Sequence, residues 1–438
     1  MTHWHTQFGE LRSILHEPPS ASAWNRLCAI LEVHAQHPER MSQRVLPYAL
    51  QGLKRWPDAL RVCPRRWLED RAYTWVLVSL TRCVHLARAG MDDQGLRRVL
   101  SKPPISSVRV LDLRHNWVRA LGAHHVSVSN TLTNVTHLFL GYNQIADEGA
   151  QSILESGRLG ALTHLDLMRN GLSANALAYA PEQSALLERL QALNMGHNWL
   201  GERGAELLGA RTWAHLRHLN LHANALGDVG CARLFEHPER FAALEHLDLG
   251  HNNLGPRSAQ TLAWQLPHER IKTLSLQDNR LGTRGLHHLI ESTRLKDLQV
   301  LDVRRNQLPS DGLRAFEDIT HLRGLRGLYL DDNLLDARGV RALRNAPCLG
   351  GLHTLSLGRN ALDDAAIEAL CQLECVRHVH TLNLEGNRLG SDGCAALARA
   401  PFGQLRQLNV RANDLSAEDA RVLRAAPWFC DLDGFKLH

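Results

Sequence analysis

Leucines and other apolar residues return along this chain in a fixed phrase, L-x-x-L-x-L-x-x-N-x-L, of which Leu325, Leu328, Leu330, Asn333 and Leu335 form one copy. In a strand, alternate residues face opposite sides. Leu328 and Leu330 therefore point into a core, and Gly327, Tyr329 and Asp331 point out. The phrase closes on Asn116, Asn143, Asn170, Asn198, Asn224, Asn252, Asn279, Asn306, Asn333, Asn360, Asn387 and Asn413, at steps of 26 to 28 residues. Six residues after the asparagine a glycine follows in eight copies, from Gly122 and Gly149 to Gly393. A small residue there predicts close backbone approach where a helix begins. Ser310-Asp311 and Ser391-Asp392 supply helix-start residues, and Ala396, Leu397 and Ala400 follow at helical spacing. Each copy therefore predicts a strand and then a helix.

One strand cannot bury its apolar side alone. Stacking the next copy beside it, at roughly 4.8 Å, builds a parallel sheet over one continuous core. The asparagine sits where the chain turns off the strand. Its amide both donates and accepts, so twelve of them predict a ladder that satisfies backbone groups from copy to copy. Counting 27 residues back from Asn116 reaches Ala89, with Val84, Leu86, Met91 and Gly95 in register. This is a degenerate first copy, as expected of a terminal cap. At the other end Phe435 and Leu437 alternate like a short closing strand.

Over roughly three quarters of its length the chain resembles the leucine-rich-repeat family. The repeat length and the G-x-x-x-L return are similar to the ribonuclease-inhibitor subclass, and Gly204-Ala205-Glu206-Leu207-Leu208 resembles the GALA-type repeats of bacterial effectors. The resemblance implies an α/β solenoid, a horseshoe with a parallel β-sheet on its concave face and helices on its convex face. The expected organisation is a small helical N-terminal capping domain over residues 1–80. Residues 81–438 would form a repeat domain of about 13 repeats, the first degenerate, with a short C-terminal cap.

The first eighty residues lack the phrase. Leu11, Ile14 and Leu15 are spaced for one helix, and Trp24, Leu27, Cys28 and Leu31 for another. Pro18-Pro19 lies between them, and His37-Pro38 ends the second. Trp56, Trp67 and Trp75 are expected to pack against the first repeat and seal its end. Leu46-Pro47 and Val62-Cys63-Pro64-Arg65-Arg66-Trp67 resemble the two parts of an F-box, but they lie closer together than in that family and Pro64 interrupts the second.

Composition narrows the setting. No run of apolar residues is long enough to span a bilayer, and residues 1–17 lack the basic opening and apolar stretch of a secretory signal. Nine cysteines without framework spacing point to reduced thiols and a cytoplasmic protein. Cys371 and Cys375, one helical turn apart, read as buried helix residues rather than metal thiolates. Arginine outnumbers lysine 45 to 5, which fits a GC-rich bacterial genome. Net charge is +5, and residues 40–102 carry thirteen Lys or Arg against five Asp or Glu.

The outward strand positions form columns. His137, His164, His218 and His246 occupy one. Two residues on stand Asp112, Asp166, Asp248 and Asp302. His115, His197 and His251 immediately precede the ladder asparagine, and Trp117 and Trp199 follow it. Phe139, Tyr142 and Tyr329 lie on the same side. From Arg280 onward the face alternates Arg304, Arg305 and Arg359 with Asp278, Asp331 and Glu385. Tryptophan, tyrosine and arginine dominate the energy of many protein interfaces. The partner-binding candidates are therefore Trp117, Phe139, Tyr142, His137, His164, Asp166, His197, Trp199, His218, His246 and Tyr329. Adjacent histidines such as His137 and His164 could share zinc with Asp166, but no closed four-ligand set accompanies them.

Chemistry is otherwise sparse. The chain has no G-x-x-x-x-G-K-[ST], no H-E-x-x-H and no G-x-S-x-G. The expectation is a monomeric, non-catalytic protein-interaction scaffold without cofactor or metal, binding a protein on the concave face and neither nucleic acid nor membrane. Two alternatives follow from resemblance: an F-box-like substrate adaptor of a ubiquitin ligase delivered as a bacterial effector, and a GTPase activator, one family of which uses similar repeats. The chain lacks that family's acidic tail.

Overall fold

A computed structural model describes residues 3–68, 74–178, 184–267 and 270–437. The chain divides into two compact units, residues 1–198 and 199–438.

The first unit carries strands β1 (Cys83–His85), β2 (Val110–Asp112), β3 (His137–Phe139), β4 (His164–Asp166) and β5 (Ala192–Asn194), all parallel and paired in chain order. Each central residue stacks on its equivalent, Val84 on Leu111, then Leu138, Leu165 and Leu193, and all five are buried. β1 belongs to the degenerate copy. Ala89 replaces the asparagine there, and Asn116 reaches back to it: its Oδ1 accepts from the Ala89 and Met91 amides at 3.0 and 2.9 Å.

The helical segment before β1 has its own apolar core of Leu11, Ile14, Leu27, Leu31, Val45 and Leu53, all nearly inaccessible. Helices His3–His16 and Ala21–Ala35 supply it, with a π turn over Met41–Val45 leading into Leu46–Gly52. This segment also supplies an extra extended strip. Val62 bridges Cys83 in parallel, the Cys63 amide donates to the Cys83 carbonyl at 2.7 Å, and the Arg82 amide donates to the Arg61 carbonyl at 2.8 Å. The exposed edge of β1 is thereby paired, which removes the hazard of an open strand. Trp24 Nε1 donates to the Val62 carbonyl at 2.8 Å and holds the strip against helix Ala21–Ala35. Trp56, Trp67 and Trp75 are buried, and Trp67 Nε1 donates to Glu32. Of the F-box-like phrase, Val62 and Cys63 pair with the edge of β1 and Trp67 donates to Glu32, while Pro47, Arg65 and Arg66 are exposed.

The second unit carries β6 (His218–Asn220), β7 (His246–Asp248), β8 (Thr273–Ser275), β9 (Val300–Asp302), β10 (Gly327–Tyr329), β11 (Thr354–Ser356), β12 (Thr381–Asn383), β13 (Gln407–Asn409) and the closing strand β14 (Gly434–Lys436). These too are parallel, in order and in register.

Within each unit the asparagines bond as one pattern. Asn279 Oδ1 accepts from the amides of Asn252 and Leu254, at 3.0 and 2.9 Å, and its Nδ2 donates to the carbonyls of Leu249 and Leu276, at 3.1 and 2.9 Å. One side chain therefore serves the turn of its own repeat and that of the repeat before. The residue preceding each asparagine has a left-handed backbone, including His115, Tyr142, Arg169 and His197 in the first unit and His251, Asp278, Arg305, Asp332 and Arg359 in the second.

The outer returns differ from expectation in two respects. Ser310–Phe316 is a 3-10 segment rather than an α-helix. Ser310 and Ser391 do not cap their own returns, whose cap positions are Pro309 and Gly390. In the return of Ser391, as in those of Gly122 and Ser258, a carboxylate one repeat earlier does this instead. Asp93 accepts from the amides of Arg119 and Gly122 at 2.8 and 3.0 Å. Asp228 accepts from those of Gly255 and Ser258 at 2.8 and 3.1 Å, and Asp364 from Gly390 at 2.7 Å. Stacking brings the first turn of one helix against the start of the next, so an anionic side chain can satisfy the orphan N–H groups of its neighbour. The eight-copy glycine column allows this approach: a Cβ on Gly230 would lie 3.2 Å from Glu202 Cα.

Candidate functional site

The sheet face opposite the helices presents side chains that the core does not consume, because its positions alternate with buried leucines. In the first unit these side chains interlock. The rings of His137 and His164 stack, with centroids 3.9 Å apart and planes at 14°. Each places Nδ1 within 2.9 Å of the hydroxyl of the preceding threonine, Thr136 or Thr163. Burial lowers the pKa of His137. Imidazole lone pairs lie in the ring plane, so two face-to-face rings aim their nitrogens side by side rather than at a shared ion. This geometry disfavours the zinc arrangement drawn from the sequence. Among the described residues no group of three or more His, Cys, Asp or Glu has the spacing to hold a metal.

Phe139 follows on the same strand, its ring 6.3 Å from that of His137. The Arg114 guanidinium covers it at 5.1 Å from the ring centroid. Arg114 is in turn forked onto Asp112, Nε to Oδ1 at 3.0 Å and Nη2 to Oδ2 at 2.8 Å. Asp112 is only 3 % exposed. Burial alone would raise its pKa, but His85, 3.7 Å away, and the hydrogen-bonded Arg114 outweigh this and hold the carboxyl well below the usual range. Tyr142 is flanked on two sides: it stacks on His115 at 4.1 Å, and Arg169 lies 5.4 Å from its ring centre. Asp166 fills the space left by Gly141, where a Cβ would come 2.9 Å from Asp166 Oδ2, and burial raises its pKa. His197 lies beyond, before Asn198. Trp117 stands on the rim past the ladder, bonded through its backbone to Met91 and 60 % exposed.

The other candidates belong to the second unit. Trp199 is 75 % exposed. His218 and His246 stack at 4.3 Å with planes 3° apart, and His246 Nδ1 lies 3.0 Å from the Thr273 hydroxyl. Burial first, and then the charge of His218, lowers the pKa of His246. Tyr329 is three strands further on, half-buried under Arg304 at 5.5 Å. Arg304 forks onto Asp302 as Arg114 does onto Asp112. Sequence columns alone did not reveal this shared device. Its signal is an Asp-x-Arg pair with an aromatic residue 27 positions after the aspartate, as in Asp112-x-Arg114 with Phe139 and Asp302-x-Arg304 with Tyr329.

All nine cysteines are free, and only Cys430 is exposed. Burial pushes the thiols of Cys371 and Cys375 up to about 12, so neither offers a thiolate near neutral pH. No helix among the described residues is long and apolar enough to cross a membrane.

Residues 131–154, 190–209, 214–235, 243–263 and 377–398 match the family model described as Leucine Rich repeat. No curated protein matches the chain in sequence. Among solved structures, an internalin (inlF) from Listeria monocytogenes is similar at 19 % identity and a TM-score of 0.50, over 85 % of this chain and 92 % of that one. A TDR receptor aligns at 18 % identity and a TM-score of 0.44, over 84 % of this chain and 57 % of that one. The matched repeats, the parallel strands and the asparagine pattern converge: the chain is built of leucine-rich repeats and folds as a leucine-rich-repeat solenoid.

Proposed function

We propose that this protein is a non-catalytic scaffold that binds another protein on the helix-free face of its sheet. In the first unit the contact surface consists of Trp117, His137, Phe139, Tyr142, His164, Asp166 and His197. In the second it comprises Trp199, His218, His246 and Tyr329. The observation that carries this reading is the interlocked row on β2–β4, where Arg114, Phe139, Tyr142 and Arg169 are held by cation–π contacts before any partner arrives. Side chains already fixed lose little conformational entropy on docking, and aromatic and arginine anchors supply most of the energy of such interfaces. A highly exposed tryptophan such as Trp117 costs little to keep in water as a lone residue but contributes a large apolar area once covered. The asparagine ladder is assigned a structural role, and a cytoplasmic, monomeric protein is part of the same reading.

The test is affinity capture with the full chain from its native host, followed by binding measurements on the partner obtained. Trp117→Ala, Phe139→Ala, Tyr142→Ala and Trp199→Ala are compared with wild type, each checked for folding. We expect at least one to weaken binding about tenfold or more, a loss of about 1.4 kcal/mol. Full affinity in all four folded variants removes this surface from consideration.

A further inference from the structure

The second unit contains a hollow of about 400 Å³ on the helix-free face of β8–β12. Its charged groups have partners, Asp278 pairing with His251 at 2.7 Å. Arg305 pairs with Asp332 at 3.3 Å, Arg359 with Glu385 at 3.5 Å, and Arg304 forks onto Asp302. Asp331 is the exception. It is 8 % exposed. Its Oδ1 is saturated, accepting from the Ser356 hydroxyl at 2.6 Å, the Asn383 amide at 2.7 Å and the Gly358 backbone at 3.0 Å. Its Oδ2 has almost no accessible surface and no hydrogen-bond partner among the described residues, in a residue that lines the hollow. Buried acceptors are almost always satisfied, so an orphan in a native wall calls for a donor from outside the chain. Gly358, at the next column position, leaves room for this carboxylate and its partners. A Cβ there would lie 2.7 Å from Asp331 Oδ1 and 2.9 Å from Asn383 Nδ2.

We propose that this hollow binds an organic cation, an alkylguanidinium or alkylammonium group that donates an N–H to Asp331 Oδ2. An anion is disfavoured because all three arginines already have carboxylate partners. A divalent metal is disfavoured because it needs several converging oxygens, and among the described residues no group of three or more His, Cys, Asp or Glu is placed to hold one. Burial raises the pKa of Asp331, and an arriving cation offsets that desolvation by favouring the charged form. The long side chains of Arg305 and Arg359 are more than half exposed and free to give way as the ligand enters. The head group can come from a free amine or from an arginine or lysine side chain of a bound protein. This site lies in the second unit, where Arg304 on its wall also covers Tyr329 of the proposed docking surface, and a small-molecule probe tests it without any protein partner.

The experiment is calorimetric titration of the full chain near neutral pH. The probes are agmatine and a blocked glycine-rich peptide carrying one arginine. Binding of agmatine shows that the small cation suffices; binding of the peptide alone assigns the source to a protein side chain. Asp331→Asn is expected to weaken either interaction at least tenfold while keeping an acceptor for Ser356, Gly358 and Asn383. Gly358→Ala, whose Cβ would press on Asp331 Oδ1 and Asn383 Nδ2 and so displace the carboxylate, should do the same and serves if Asp331→Asn does not fold. The proposal is overturned if neither probe binds wild type at millimolar concentration. It is equally overturned if both folded variants bind as tightly as wild type.

Discussion

Arg114 covers the face of Phe139 at 5.1 Å while its nitrogens grip Asp112, so one guanidinium joins two adjacent strands. The carboxylate it grips is almost wholly buried, and that decides the energetics. A buried ion without its partner keeps its desolvation cost and loses its compensation. Arg114→Ala should therefore destabilise the protein by on the order of 2 kcal/mol, the partial exposure of Arg114 keeping the loss below that of a fully buried pair. Asp112 has a depressed folded pKa, so its stabilisation is present above the unfolded carboxyl value and is lost as pH falls through that value towards the folded one. Urea unfolding followed from neutral to acid pH should show a shallower acid loss in Arg114→Ala than in wild type. Parallel curves would detach Asp112 from Arg114.

Asn279→Ala removes an acceptor for two backbone amides of one turn and a donor to carbonyls of two repeats. Those groups are buried, and each left unpaired costs about 1–3 kcal/mol. We expect a lowered denaturation midpoint with the repeat fold retained. An unchanged midpoint would mean that the ladder is geometry without energy.

The inter-repeat cap makes a directional prediction. Asp228→Ala should cost about 0.5–2 kcal/mol, in the range of a lost helix cap. Amide exchange should rise first at the start of helix Pro256–Gln265, where Gly255 and Ser258 lose their acceptor, rather than in helix Gly227–Leu234 that carries the aspartate. Exchange rising only in the latter would show the carboxylate serving its own helix.

The stacked histidines set a pH response. His137 and His246 have folded pKa values below the unfolded value, so folding favours their neutral forms. Protons then bind better to the unfolded chain, and stability falls as pH drops through about 6.5 towards the folded values. His137→Gln and His246→Gln should each flatten this slope between mildly alkaline and mildly acid pH. Thermal midpoints measured across that range provide the check, and an unaltered slope in both variants would assign the response to other groups.

Periodicity alone determined the strand positions, the inward leucines and the step between asparagines. These follow from the two-residue repeat of a strand and from the need of each repeat to bury one face against the next. The closing strand at Gly434–Lys436 was legible for the same reason. The tertiary structure decided what lies side by side. Only stacking shows that Asp93 and Asp228 cap the following repeat while Ser310 and Ser391 do not cap their own, because a cap depends on distance across repeats rather than along the chain. Only stacking places Arg114 over Phe139, and only the fold pairs Val62 with the free edge of β1. The unpartnered oxygen of Asp331 was equally out of reach of sequence. Its environment is built by Ser356, Gly358 and Asn383 from two neighbouring repeats, and whether a buried acceptor is satisfied depends on atoms that no single repeat contains.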